Sequence, residues 1–162
     1  MNKTYRIRQI KKGEENQIYK LVKPIFDKFV APAFSSEGIQ EFLKVIRSEA
    51  VKDRLKQGNR RILFAEEVNT GKIVGMIEFR NFDHISIFFV KSKLQGQGIG
   101  NSLLARCINI CKRNNKDLKK ITVHSSPNAV EIYKKFGFIK IGKGGVQQHN
   151  GMSFVKMKLL LK

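Results

Sequence analysis

The sequence predicts a mixed α/β fold: a central twisted mixed sheet of about six or seven strands with one parallel pair, flanked by about four helices. Three observations carry this. Residues 85–110 read as an apolar strand, a loop with glycines at alternate positions 96, 98 and 100, and an amphipathic helix. A second strand, turn and helix follows over residues 118–138, and two strands joined through a helix should pair in parallel. Ahead of both, apolar runs at residues 62–65 and 73–79 are separated by turn residues, the mark of an antiparallel meander.

Taken in order, residues 5–10 alternate as a first strand, and Gly13 punctuates it. From Ile18 the apolar positions Leu21, Val22, Ile25, Phe26, Phe29 and Val30 recur at helical spacing. Pro24 lies off that stripe, which predicts a kinked helix or two abutting ones, ended by Ala31-Pro32. Ser35 or Ser36 can cap a second helix carrying Ile39, Phe42, Leu43 and Ile46, continuing through Val51 and Leu55 to the stop at Gln57-Gly58-Asn59. The second and third strands are joined by Asn69-Thr70-Gly71-Lys72, and Arg80-Asn81-Phe82-Asp83 turns the chain into the fourth.

The helix beginning at Gly98 places Ile99, Leu103, Cys107, Ile110 and Cys111 on one face, and residues 118–123 form the fifth strand. Asn128 with Glu131 reads as a capping box, with Ala129, Ile132, Tyr133 and Phe136 as the stripe and Gly137 as the stop. A last hairpin turns at Asn150-Gly151, with Val155, Met157 and Leu159 on one face. The loop over residues 142–148 reads as a plain connection. No repeat or linker divides the chain, so residues 1–162 are expected to form one domain.

Composition narrows the class. The 41% hydrophobic content contains no apolar run long enough to span a bilayer, and the opening Met1-Asn2-Lys3-Thr4-Tyr5-Arg6 lacks the apolar stretch of a leader, so a soluble, cytoplasmic protein without membrane association is expected. Cys107 and Cys111, four apart on a helix, are expected in the core, and no zinc pattern exists. The net charge of +19 fits an anionic ligand or a nucleic acid, but the bases form no single block.

A strand, a glycine loop and a helix starting within the loop present free backbone N–H groups to an anion. The spacing fits neither a P-loop nor a dinucleotide fingerprint, because no Lys-Ser/Thr follows, the third dinucleotide glycine is replaced by Asn101, and no acid lies near Leu118-Lys119-Lys120. The pattern Gln95-x-x-Gly98-x-Gly100 instead resembles the Q/R-x-x-G-x-G/A signature of the GNAT N-acetyltransferase superfamily. Asn128-Ala129-x-x-x-Tyr133-x-x-x-Gly137-Phe138 is similar to that family's second pattern, and the likeness covers residues 62–160.

The resemblance implies an acetyl-CoA-dependent transfer to an amine acceptor, a small molecule or a protein amine, by direct attack in a ternary complex, without a metal. It implies cofactor contacts from Phe88, Phe89 and Val90 to the pantetheine arm. Gln95, Gly96, Gln97, Gly98, Ile99, Gly100 and Asn101 would surround the pyrophosphate, with Asn128 and Tyr133 beside the arm. It further implies that the early helices wall the acceptor groove. Tyr133 would protonate the leaving thiolate, against the alternative of a plain core tyrosine. For the base, His84 stands as far before the glycine loop as the strand-four Glu of histone-acetylating members, and an imidazole suits the role. Glu78, an acid within an apolar strand, is the second candidate, and a water chain the third. His124 and His149 have no evident partners. The competing expectation is a basic protein of the same fold that binds nucleic acid without turnover; nucleic acid is otherwise not an expected partner. A monomer or homodimer is expected.

Overall fold

The computed structural model describes residues 4–162; the first three residues of the opening segment lie outside them. Strands run β1 (Tyr5–Gln9), β2 (Arg60–Glu67), β3 (Ile73–Arg80), β4 (His84–Val90), β5 (Lys120–Ser125), β6 (Ile139–Lys140), β7 (Gln147–His149) and β8 (Met152–Leu160). They form one mixed sheet in the order β1-β2-β3-β4-β5-β8-β6, with β7 also paired to β8. The β4–β5 pair is parallel, as the helix between the two strands requires.

The helices are α1 (Asn16–Phe29), α2 (Ser36–Val45), α3 (Ser48–Leu55), α4 (Ile99–Asn114) and α5 (Val130–Lys135). Helix α1 runs unbroken through Pro24, which lies on the exposed side, where the Lys20 carbonyl it leaves unbonded meets solvent. The expected second helix is two. The chain breaks at Ile46 and Arg47, keeping Ile46 and Val51 both in the core, and Arg54 Nη1 donates to Val45 O at 2.6 Å, satisfying a terminal carbonyl of α2. Hence five α-helices stand among the described residues, where about four were expected.

Strands β2 and β3 are buried on both faces. On one side Ile62, Phe64, Met76 and Ile87 meet α1, α2 and α3 through Ile18, Val22, Phe26, Leu43 and Val51. On the other, Leu63, Ile77, Phe79, Ile85, Ile121, Val123 and Met157 meet α4 and α5 through Leu103, Cys107, Cys111, Val130 and Tyr133. Both cysteines are fully buried, and their mutual contact and burial push the Cys107 thiol far above its ordinary value, which makes it inert.

Two tight turns follow the sequence. Asn81 and Phe82 both take φ 55, and Asn150 and Gly151 take φ 51 and 77, the type I′ pattern that suits the twist of a hairpin. Ser35 caps α2 by accepting from Gly38 N at 3.1 Å, and its own N–H donates to Gly151 O at 3.1 Å. A side chain on Gly38 would overlap that carbonyl, so helix and hairpin tip meet backbone to backbone.

The expected capping box does not form. Asn128 lies in a short 3-10 turn, Pro127–Ala129, ahead of α5, and its Nδ2 donates to Phe29 O of α1 at 3.0 Å, while Glu131 pairs with Lys134. Ile132, expected on the buried stripe, is 45% exposed because the turn rotates Val130 inward instead.

Candidate active site

The glycine loop leaves β4 through Lys91 and a 3-10 turn, Ser92–Leu94, and enters α4 at Gly98. Gly96 and Gly98 have φ of +82 and +86, a region that disfavours other residues, and a side chain at either would meet nothing within 4 Å. Glycine is therefore needed there for backbone shape, and the space before the loop is open. Gly100 is needed for packing, since a Cβ would stand 3.0 Å from Phe136 Cζ. The amides of Gly96 through Asn101 have no protein acceptor among the described residues, as at any uncapped helix N-terminus. Gln95 does not join this cradle by its side chain; Nε2 donates to Val90 O at 3.1 Å and ties the loop to the strand end.

The strand beside the loop has free edge groups. Residues pair across β4 and β5 only at His84–Thr122 and Ile85–Val123, after which the strands splay. Lys91 N donates to Val74 O at 2.8 Å, so by antiparallel alternation the peptide groups of Val90 and Phe88 point away from β3 and toward the splay. An extended amide chain could pair there as an added strand. Phe88 lies on the α4 side and Phe89 on the α1 side, where it approaches Phe42 at 6.2 Å.

Tyr133 packs in this slot's aromatic wall, edge-on to Phe88 at 6.2 Å and to Phe138 at 5.3 Å, while Phe88 stacks on Phe136 at 5.5 Å. The residue is 8% exposed, its hydroxyl has no protein partner among the described residues, and burial pushes the phenol above its ordinary pKa. It stays protonated across the physiological range and so has a proton to donate. The same ring is thus a core residue and a phenol packed beside β4, which leaves the two sequence readings of it compatible.

His84 stands at the closed end of the splay on the opposite face, since its neighbours Ile85 and Val123 fill the α4 core. Nδ1 lies 2.7 Å from Thr122 Oγ1, and the ring meets His124 edge-on at 4.9 Å. Burial, with Arg80, His124 and Arg60 nearby, pulls its pKa down to about 4. The imidazole is neutral at physiological pH but holds a proton weakly. His124 does have partners, stacking on Phe154 at 4.7 Å; the alternation of Thr122 and His124 on β5 is the signal that placed them beside His84.

Glu78 is 1% exposed and fully engaged. Arg54 grips it through Nε at 3.1 Å and Nη2 at 3.0 Å, and Arg60 Nη1 approaches at 3.4 Å. Its carboxylate serves as a buried ion-pair hub, and Arg54, which holds it, drew no attention in the sequence.

The charge is lopsided. From His84 onward the chain holds fifteen Lys and Arg against two acids, Asp117 and Glu131. The half that carries the loop, the splay and Tyr133 is therefore the strongly positive one, and it favours an anionic guest. Among the described residues, no group of three or more His, Cys, Asp and Glu could hold a metal ion, and no helix is long and apolar enough to cross a membrane.

Comparison with known proteins agrees with this geometry. The family model for the acetyltransferase (GNAT) domain matches residues 30–161. A GCN5-related N-acetyltransferase from Rhodopseudomonas palustris superposes with a TM-score of 0.77 at 19% identity, covering 99% of each chain. A PaiA N-acetyltransferase from Thermoplasma acidophilum, solved with coenzyme A, gives 0.74 at 18% identity over 98% of this chain and 99% of that one. A spermidine N-acetyltransferase from Vibrio cholerae, solved with CoA and spermine, gives 0.63 at 19% over 96% and 95%. An uncharacterised N-acetyltransferase of Dictyostelium discoideum is 38% identical over 73 residues, which span 44% of this chain but 34% of that protein. The splayed parallel pair, the glycine loop and the family match over residues 30–161 together place the chain in the GNAT acetyltransferase family.

Proposed function

We propose that residues 1–162 act as one unit that transfers an acetyl group from acetyl-CoA to an amine by direct attack in a ternary complex. The observation that carries this is the run of unpartnered amides from Gly96 to Asn101, opening on free space at the N-terminus of a sixteen-residue helix. These amides would receive the pyrophosphate. The outward peptide groups of Phe88 would pair with the pantetheine arm, and the Val90 N–H, whose residue's carbonyl is held by Gln95, would polarise the thioester carbonyl. Asn128, anchored through Nδ2 to Phe29 O, would reach the arm with its remaining amide atoms.

In the transfer, the amine nitrogen bonds to the acetyl carbon, the carbon–sulfur bond breaks, and Tyr133 donates its phenolic proton to the departing sulfur. The proton released by the amine passes to His84, held by Thr122 and neutral above about pH 4, or to water leading from it. Glu78 acts here as support, holding Arg54 and Arg60. Both cysteines lie within the core, so neither carries the acyl group.

The test is release of free thiol from acetyl-CoA in the presence of a panel of small amines and peptide amines, with CoA binding followed by calorimetry. Thiol release with at least one amine is expected. No release with any amine, together with no heat on CoA addition, overturns the reading. The acid-poor half of the chain favours one alternative, a nucleic-acid binder of the same fold, which predicts a strongly salt-dependent affinity for RNA or DNA and no thiol release.

A further inference from the structure

A cleft of about 280 Å³ lies between the first turns of α1 and the β2–β3 turn, and it reaches Lys91, where the glycine loop leaves β4. Its floor is apolar, from Leu21 and Ile73, both of the α1-side core, so it opens on the face of the sheet opposite α4. Its walls carry Gln17 and three lysines, Lys20, Lys72 and Lys91. None of the three ammonium groups takes part in an ion pair among the described residues. The nearby carboxylates of Glu66 and Glu14 are already committed to Arg6 and Arg8.

Three lysines from three different elements line one concave site together with an amide side chain, and the buried Glu67 stands opposite Lys72 across the turn. Lysines lining one cleft repel each other, and an anion bound in it would offset that repulsion. Lys91 directly follows Val90, so the cleft lies next to the strand end where the thioester is placed in the proposed function. Along α1, Lys20 and Phe29 are nine residues apart, about 13 Å, so one helix connects this cleft to the Asn128 side of the slot.

We infer that this cleft is a second anion site, for a phosphate- or carboxylate-bearing group on the acceptor side of the sheet, separate from the pyrophosphate cradle. This placement rests on the acetyltransferase reading, but the anion chemistry does not. Three lysines there also oppose a polycationic acceptor, in contrast to the spermidine-acetylating relative of similar fold.

The test is titration of the ¹⁵N-labelled full chain with inorganic phosphate, alone and with saturating CoA, for the wild type and for Lys20→Gln/Lys72→Gln. Both lysines are exposed, so the variant should keep the dispersed wild-type spectrum. Saturable shifts at Gly71, Lys72 and Lys91 are expected, with at least tenfold weaker binding in the variant. Absence of such shifts, or equal binding by the variant, overturns the inference. Failure of the cofactor reading registers elsewhere, as missing CoA shifts at Gly96 to Asn101. If CoA abolishes the phosphate shifts, and the variant loses affinity for CoA but not 3′-dephospho-CoA, the anion is the cofactor's ribose phosphate. If they persist, thiol release with ethanolamine against O-phosphoethanolamine assigns the source. A phosphate advantage lost in the variant marks the acceptor, and equal rates mark a free anion, each with the cleft confirmed as the binding site.

Discussion

Replacing Glu78 by Gln separates a structural from a catalytic carboxylate. The side chain is almost wholly buried and neutralises Arg54 through two bonds and Arg60 through a third, and each arginine side chain is itself only 15% exposed. Glutamine keeps the shape but offers one oxygen and no charge, so two largely buried cations lose their counter-ion. Breaking such a pair by removing one partner costs roughly 3 kcal/mol or more, and with some access to water the lower figure applies here. For a chain of this length about 3 kcal/mol lowers Tm by roughly 6–12 °C. Differential scanning calorimetry should show that drop, while the pH–rate profile of the folded enzyme keeps its wild-type limbs. Adding Arg54→Gln should cost less than the sum of the single changes, because the two residues share one interaction. An unchanged Tm combined with a hundredfold loss of kcat and of the acidic limb would refute this account and return Glu78 to the role of base.

Three further outcomes follow from the site. Tyr133→Phe should lower kcat at least tenfold with CoA affinity within twofold of wild type by calorimetry; unchanged turnover would make the residue core only. Gly98→Asp puts a carboxylate in the open space before the amides and forces a strained backbone at φ +86, so CoA binding should vanish, whereas Gly98→Ala, which adds strain alone, should keep measurable binding. His84 has a folded pKa of about 4, below its ordinary value, so the stability it contributes is full above about pH 6.5 and is lost as pH falls toward 4. Chemical denaturation of His84→Gln across that window should show a shallower decline than wild type, and an identical decline would remove His84 as its source.

The sequence made the local chemistry readable. Gly96 and Gly98 announced a loop with positive φ, Asn150-Gly151 announced a hairpin, and the helix between β4 and β5 dictated a parallel pair; each signal lies within a few residues of its effect. What escaped depends on contacts across the chain. Asn128 fits a capping box by spacing, yet it finds the Phe29 carbonyl ninety-nine residues away, and no local pattern announces that. A basic partner for Glu78 was to be sought near Arg80, but the one that grips it is Arg54, on a helix whose separation from α2 no periodicity marks. The depressed pKa of His84 comes from burial and from Arg80, Arg60 and His124 gathered by strand pairing. The fold was therefore legible where it is written in turns and periods, and the proton chemistry was not, because tertiary neighbours write it.

The backbone junction of Ser35 and Gly38 with Gly151 bears on the order in which the protein can form. The start of α2, one wall of the expected acceptor groove, is fastened to a turn 116 residues later. Contacts of such separation form only after the entropy of a long loop has been overcome. During synthesis the first helices leave the ribosome well before the hairpin that secures them exists. The β2–β4 meander can assemble early from neighbours in sequence, while the groove must wait for the final strand. Shape at the substrate wall is thus the last property the chain acquires, and truncation of the hairpin should leave a sheet without a defined groove.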